Sequence, residues 1–101
     1  MRTVVVIPAH NERGRVGRVV EVAMRALLEG VVQRVLVVDD GSTDGTAVEA
    51  LEKYAEVIRL NPNRGKGGAM RAGFEAARGA DALMYLDADL LGLTVEHLRS
   101  R

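Results

Sequence analysis

Four short polar clusters hold the residues whose types and spacing suit chemistry: Pro8-Ala9-His10-Asn11-Glu12, Asp39-Asp40-Gly41-Ser42, Asn63-Arg64-Gly65-Lys66-Gly67-Gly68 and Asp87-Ala88-Asp89. Asp87 and Asp89 flank a small residue just after an apolar run. In an extended stretch, residues two apart point the same way, so both carboxylates would face one site. Hard oxygen donors of this kind suit Mg²⁺ or Mn²⁺, ions that keep waters and bridge to phosphates. The plainer reading is an aspartate that caps the following helix. Asp39 and Asp40 are adjacent carboxylates, which repel each other unless a partner compensates. Asp39 reads as the structural one, and Asp40 as the one left to accept from a ligand N–H. Gly65-Lys66-Gly67-Gly68 opens a helix, whose N-terminus favours anions and whose glycines permit close backbone approach. Lys66 adds a positive charge, but no Ser or Thr follows it, so this is not a Walker A loop. Glu12 suits a ligand hydroxyl or a helix cap. His10 suits contact with a ligand base or an inert place in its loop.

The elements that must position these clusters alternate in type. A β-branched run over residues 3–7 ends at Pro8 and reads as a buried strand. Val16, Val19, Val20, Ala23, Met24, Leu27 and Leu28 recur at helical spacing over residues 15–29, and Gly30 follows as a stop. A second strand over residues 35–38 leads to a helix that Thr43 or Asp44 would cap, with Val48, Leu51 and Tyr54 or Ala55 facing the core. A third strand covers residues 57–60, and Asn61-Pro62-Asn63 breaks it as a loop. A helix over residues 67–78 offers a small-residue face of Ala69, Ala72, Gly73 and Ala76. A fourth strand over residues 82–86 precedes a last helix that Thr94 would cap. The order βαβαβαβ predicts an α/β fold with a parallel sheet and right-handed crossovers. All four clusters then follow strand carboxyl ends, which share one sheet edge, where ligands bind at the switch of strand order.

Composition narrows the classes. The 101 residues allow one domain, and 48% hydrophobic with 28% charged residues is globular. Fourteen basic and fourteen acidic residues cancel to a net charge of zero, so nothing recommends nucleic acid as a partner. The absence of cysteine excludes disulfides, thiolate catalysis and Cys-based zinc sites. His10 and His97 lie far apart and show no metal-ligand spacing. The apolar N-terminal run is too short to span a membrane and lacks a signal-peptide cleavage region. The expected location is the cytoplasm. Peripheral membrane association and self-association into a homo-oligomer stay open.

Together, Val5 to Glu12, Val37 to Thr46, Asn63 to Ala69 and Leu86 to Leu90 resemble the motifs of family 2 glycosyltransferases of the GT-A fold, in the same order. The Gly-Lys-Gly-Gly form is similar to the branch of polyprenyl-phosphate sugar synthases and glucosyl-3-phosphoglycerate synthases. The resemblance implies a Rossmann-like three-layer αβα fold with strand order 3-2-1-4. It implies metal-dependent binding of a UDP- or GDP-linked sugar and inverting transfer to an acceptor. Pro8, Ala9, His10 and Glu12 would line the nucleoside pocket, although the family often has tyrosine where this chain has His10. Asp40 would accept from the base N–H, and Lys66 would contact the nucleotide. Asp87 would lie near ribose and metal, with Ala88 beside it, and Asp89 would bind the Mg²⁺ or Mn²⁺ that bridges the diphosphate. Leu91 stands where polyprenyl-phosphate mannose synthases often have glutamine. The general base and the acceptor pocket are expected beyond Arg101. Residues 1–101 are accordingly expected to be a single, truncated donor-binding domain.

Other classes fit less well. A response-regulator receiver needs its acidic pair after strand one and its phosphorylated Asp after strand three. A nucleotidyltransferase needs a Gly- and Arg-rich loop after strand one, and a dinucleotide-binding oxidoreductase needs Gly-x-Gly-x-x-Gly there. A non-catalytic nucleotide-binding or assembly module remains an alternative.

Overall fold

The structure, a computed structural model, describes residues 1–99. Strands β1 (Thr3–Ala9), β2 (Arg34–Asp39), β3 (Glu56–Arg59) and β4 (Ala82–Tyr85) alternate with helices α1 (Val16–Leu28), α2 (Thr46–Glu52), α3 (Gly65–Ala76) and α4 (Val95–Arg99). The strands form one parallel sheet of order β3-β2-β1-β4, the order that the resemblance implied.

β1 is central because it can be buried on both faces. Val4, Val5, Val6 and Ile7 are all inaccessible, as expected for a parallel sheet covered by helices on either side. Alternation along the strand divides the core in two. Val5 and Ile7 join Val35 and Val37 under α1, α2 and α4. Val4 and Val6 join Leu36 and Val38 under α3. α3 lies close to the sheet because its contact face is small. Ala69 and Gly73 are buried, and a Cβ at Gly73 would run into the side chain of Val6.

Local chemistry sets the ends of the elements. α1 stops at Gly30, which adopts φ +77. Gly30 N–H donates to Leu27 C=O and Val31 N–H to Ala26 C=O, the paired bonds of a Schellman end. Thr94 Oγ1 accepts from His97 N–H at the start of α4, as its sequence position predicts. Arg34 makes a fork to both carboxylate oxygens of Glu56 at 2.7 and 2.8 Å and donates to Ala76 C=O. One guanidinium thus ties β2 to β3 and to the end of α3.

Two expectations about α2 need correction. The helix begins at Thr46 rather than at residue 43 or 44, although Asp44 still accepts from Thr46 N–H at 3.1 Å. Its inward face is Thr46, Ala47 and Ala50, while Val48, Leu51 and Tyr54 are exposed. The methyl-sized residues let the short helix approach α1 and β2, so size outweighed hydrophobicity. Ala55 is buried, as expected of that position. Among the described residues, no helix is long and apolar enough to cross a membrane.

Candidate functional site

The carboxyl ends of the strands open onto one cleft of about 320 Å³. Pro8, Ala9, His10, Glu12, Asp40, Lys66, Asp87, Ala88 and Asp89 line it, and Ala69 is the tenth lining residue. The structure therefore brings together every site residue expected from the sequence. From the sequence Ala69 reads only as part of the small-residue packing face of α3.

β1 delivers Ala9 buried and His10 exposed at the cleft edge. His10 Nδ1–H donates to Asp40 C=O at 2.7 Å, which leaves Nε2 as the acceptor that faces Asn11 Nδ2 at 3.4 Å. This fixes the ring plane at the cleft wall. Asn11 turns the chain with φ 52, a left-handed conformation that asparagine tolerates better than most residues. From there, the β1–α1 loop is stitched to the β2–α2 loop. Asn11 N–H donates to Ser42 Oγ, Glu12 N–H to Thr46 Oγ1 and Arg13 N–H to Asp44, while Asn11 Oδ1 accepts from Thr43 N–H. Glu49 completes the seam, its two oxygens accepting from Gly14 N–H at 2.8 Å and Gly17 N–H at 2.7 Å. Sequence reasoning missed Asn11, Ser42, Thr46 and Glu49 as supports of the site. Their partners lie some thirty residues away, beyond the reach of any local pattern.

The adjacent aspartates divide their labour. Asp39 is fully buried, with Oδ1 held by Ser42 N–H at 3.0 Å. Its Oδ2 sits 3.2 Å from Arg59 Nε as an ion pair, without the alignment of a hydrogen bond. Asp39 is the structural member, as anticipated. Asp40 is also buried, and one oxygen accepts from Arg64 N–H at 2.6 Å, which positions the loop ahead of α3. It is not wholly reserved for a ligand, but a carboxylate offers about four lone-pair sites, so capacity remains.

The second acidic pair does not sit in extended backbone. β4 ends at Tyr85, and Asp87 C=O accepts from Leu90 N–H, closing a turn over Ala88 and Asp89. Both carboxylates still reach the cleft, with Ala88 buried between them. Lys66 Nζ donates to Asp87 Oδ1 at 2.9 Å. Its pKa is raised by that hydrogen bond first and by the charges of Asp87 and Asp89 next. Arg15 bonds Glu12 at 2.7 Å and the carbonyl of Asn11 at 3.1 Å. Its pKa is raised mainly by Glu12 and also by Asp89 and Asp44.

Four carboxylates (Glu12, Asp40, Asp87 and Asp89) and one ammonium (Lys66) line the cleft. Such a lining repels a bare polyanion and favours one that arrives with a cation. Among the described residues, no three His, Asp or Glu side chains form a ready metal cage. Two cleft carboxylates suit a Mg²⁺- or Mn²⁺-type ion that takes its remaining ligands from phosphate and water.

The model of glycosyl transferase family 2 matches residues 4–92. The chain belongs to this family. Within glycosyl transferase family 2, it is 41% identical over 97 residues to a dolichyl-phosphate beta-glucosyltransferase of Saccharomyces cerevisiae, covering 84% of this chain and 29% of the relative. It is 39% identical over 98 residues to a glucosyl-3-phosphoglycerate synthase of Mycolicibacterium smegmatis, covering 89% and 32% respectively. The fold superposes with a TM-score of 0.79 and 29% identity on Mycobacterium tuberculosis glucosyl-3-phosphoglycerate synthase in complex with Mn²⁺, UDP and phosphoglyceric acid. That match covers 93% of this chain and 35% of the synthase. The chain thus spans about a third of the length of these relatives.

Proposed function

We propose that this chain forms the donor site of an inverting glycosyltransferase and binds a nucleoside-diphosphate sugar together with Mg²⁺ or Mn²⁺. The observation that carries the reading is the convergence of four loop clusters, from four different strand ends, on one acid-rich cleft. In this reading Pro8, Ala9 and the fixed ring of His10 hold the nucleoside, with Glu12 toward the ribose hydroxyls. Asp40 accepts from the base N–H. UDP is the preferred nucleotide of the two expected, supported by the synthase complex that contains UDP. Asp89, with Asp87 beside it, holds the divalent ion, and Lys66 turns to the diphosphate. The bound ion supplies Lewis-acid neutralisation of the leaving group.

Transfer itself forms a bond from an acceptor oxygen to the anomeric carbon and breaks the bond from that carbon to the diphosphate. The nucleoside diphosphate leaves with the electron pair, and the acceptor proton passes to a base. His10, Glu12, Asp40 and Asp87 already have the partners described above, and none of them is assigned as that base. The acceptor pocket and the base are proposed to come from residues outside this chain, which spans about a third of its relatives' length. A donor-binding or assembly module without transfer is the corresponding second reading.

Calorimetric titration with UDP and GDP, each with and without Mn²⁺, tests the proposal. Metal-dependent binding of UDP that Asp89→Asn abolishes is expected. A folded chain that binds neither nucleotide in Mn²⁺ would overturn it.

A further inference from the structure

We propose that Lys66 is the resident counter-cation of the Asp87–Asp89 pair and makes metal binding conditional on the diphosphate. The inference rests on the donor-site reading and adds an order of events to it. Lys66 Nζ lies 2.9 Å from Asp87 Oδ1, and the two side chains are 69% and 57% exposed. A solvated pair of this kind changes an equilibrium by about five-fold at most, so it is readily exchanged. Lysine is also suited to exchange, because its ammonium is a compact charge with three donors on a flexible stem.

The geometry sets up a competition. A divalent ion on Asp87 must displace Lys66 from the same carboxylate, and without an anion the freed ammonium would stand beside the new cation. A diphosphate removes that conflict, because its oxygens accept from Lys66 and ligate the metal together. Nucleotide and metal therefore assist each other, and the assistance is reciprocal by thermodynamic linkage. No third carboxylate or histidine completes a metal cage among the described residues, which leaves the metal dependent on diphosphate oxygens in any case.

Mn²⁺ binding, followed through the electron paramagnetic resonance of the free ion with and without UDP, tests this directly. Lys66→Met is expected to raise affinity for Mn²⁺ alone about two- to five-fold. The same change is expected to weaken UDP in the presence of Mn²⁺ about ten-fold, through the lost charge-assisted bond. Lys66→Arg should restore both values toward wild type. Arg64→Met removes a charge from the N-cap of α3, two positions before Lys66, and should affect Mn²⁺ alone less than Lys66→Met. If Lys66→Met leaves Mn²⁺ affinity unchanged, or only matches Arg64→Met, the counter-cation role is wrong while metal-dependent UDP binding by wild type keeps the donor site. If wild type binds no UDP in Mn²⁺, both proposals fall.

Discussion

Glu49→Ala should destabilise the chain by about 1–4 kcal/mol, although Glu49 lies outside the cleft lining. Glu49 on α2 caps α1 from outside, accepting from Gly14 N–H at 2.8 Å and Gly17 N–H at 2.7 Å. Gly17 is buried, so its N–H would be left without water at a cost of about 1–3 kcal/mol. Gly14 is exposed and its N–H can turn to solvent, which makes that loss small. Removing a negative charge from the N-terminus of α1 adds about 0.3–1 kcal/mol. For a domain of this size the total corresponds to a fall in Tm of about 5–30 °C. Glu49→Gln, which keeps one acceptor oxygen, should lose about half as much. Gly17 supplies a sharper check, because a Cβ there would meet Glu49 Oε2 at 3.0 Å and Cγ at 3.1 Å. Gly17→Ala should therefore destabilise the wild type by displacing Glu49. In the Glu49→Ala background it should stabilise, by up to about 1 kcal/mol of helix propensity. Thermal and urea unfolding followed by circular dichroism read all four variants. A loss below about 0.5 kcal/mol for Glu49→Ala, or the same sign for Gly17→Ala in both backgrounds, would refute the reasoning.

Gly73→Ala should cost about 1–3 kcal/mol in urea unfolding, because its Cβ has no room against Val6 under α3. Leu51→Lys should change stability by less than about 0.5 kcal/mol, since Leu51 is 55% exposed on the outer face of α2. The Glu56 pKa lies below the ordinary glutamate range, chiefly through its hydrogen bond to Arg34. A depressed carboxylate contributes stability that is present above its unfolded pKa, about 4.3, and is lost as pH falls through the folded value. The urea midpoint should therefore fall further between about pH 6 and pH 3 in wild type than in Glu56→Gln.

Much of the fold and the site was legible in the chain because both follow from short-range patterns. Valine runs such as Val4 to Ile7 announce strands covered on both faces, and the strand–helix alternation makes the sheet parallel. Carboxyl ends of parallel strands share an edge, so Glu12, Asp40, Lys66 and Asp89 had to meet. What stayed hidden depends on size or on distant partners. Val48 and Leu51 carry the stronger hydrophobic signal in α2, but Ala47 and Ala50 face inward because the helix must come close. The pairing of Lys66 with Asp87 joins α3 to the turn after β4 across 21 positions. The Asp87–Asp89 turn replaces the extended geometry expected from spacing, and the carboxylates share the cleft through the turn instead.

A crystal structure of the chain with UDP and Mn²⁺ tests the central claim most directly. The account predicts uracil against His10 and Asp40, and Mn²⁺ on Asp89 between the carboxylates and the diphosphate. UDP lodged instead in the smaller pocket beside Asp39, Ser42, Thr43 and Arg59, or Mn²⁺ away from Asp87 and Asp89, would contradict it.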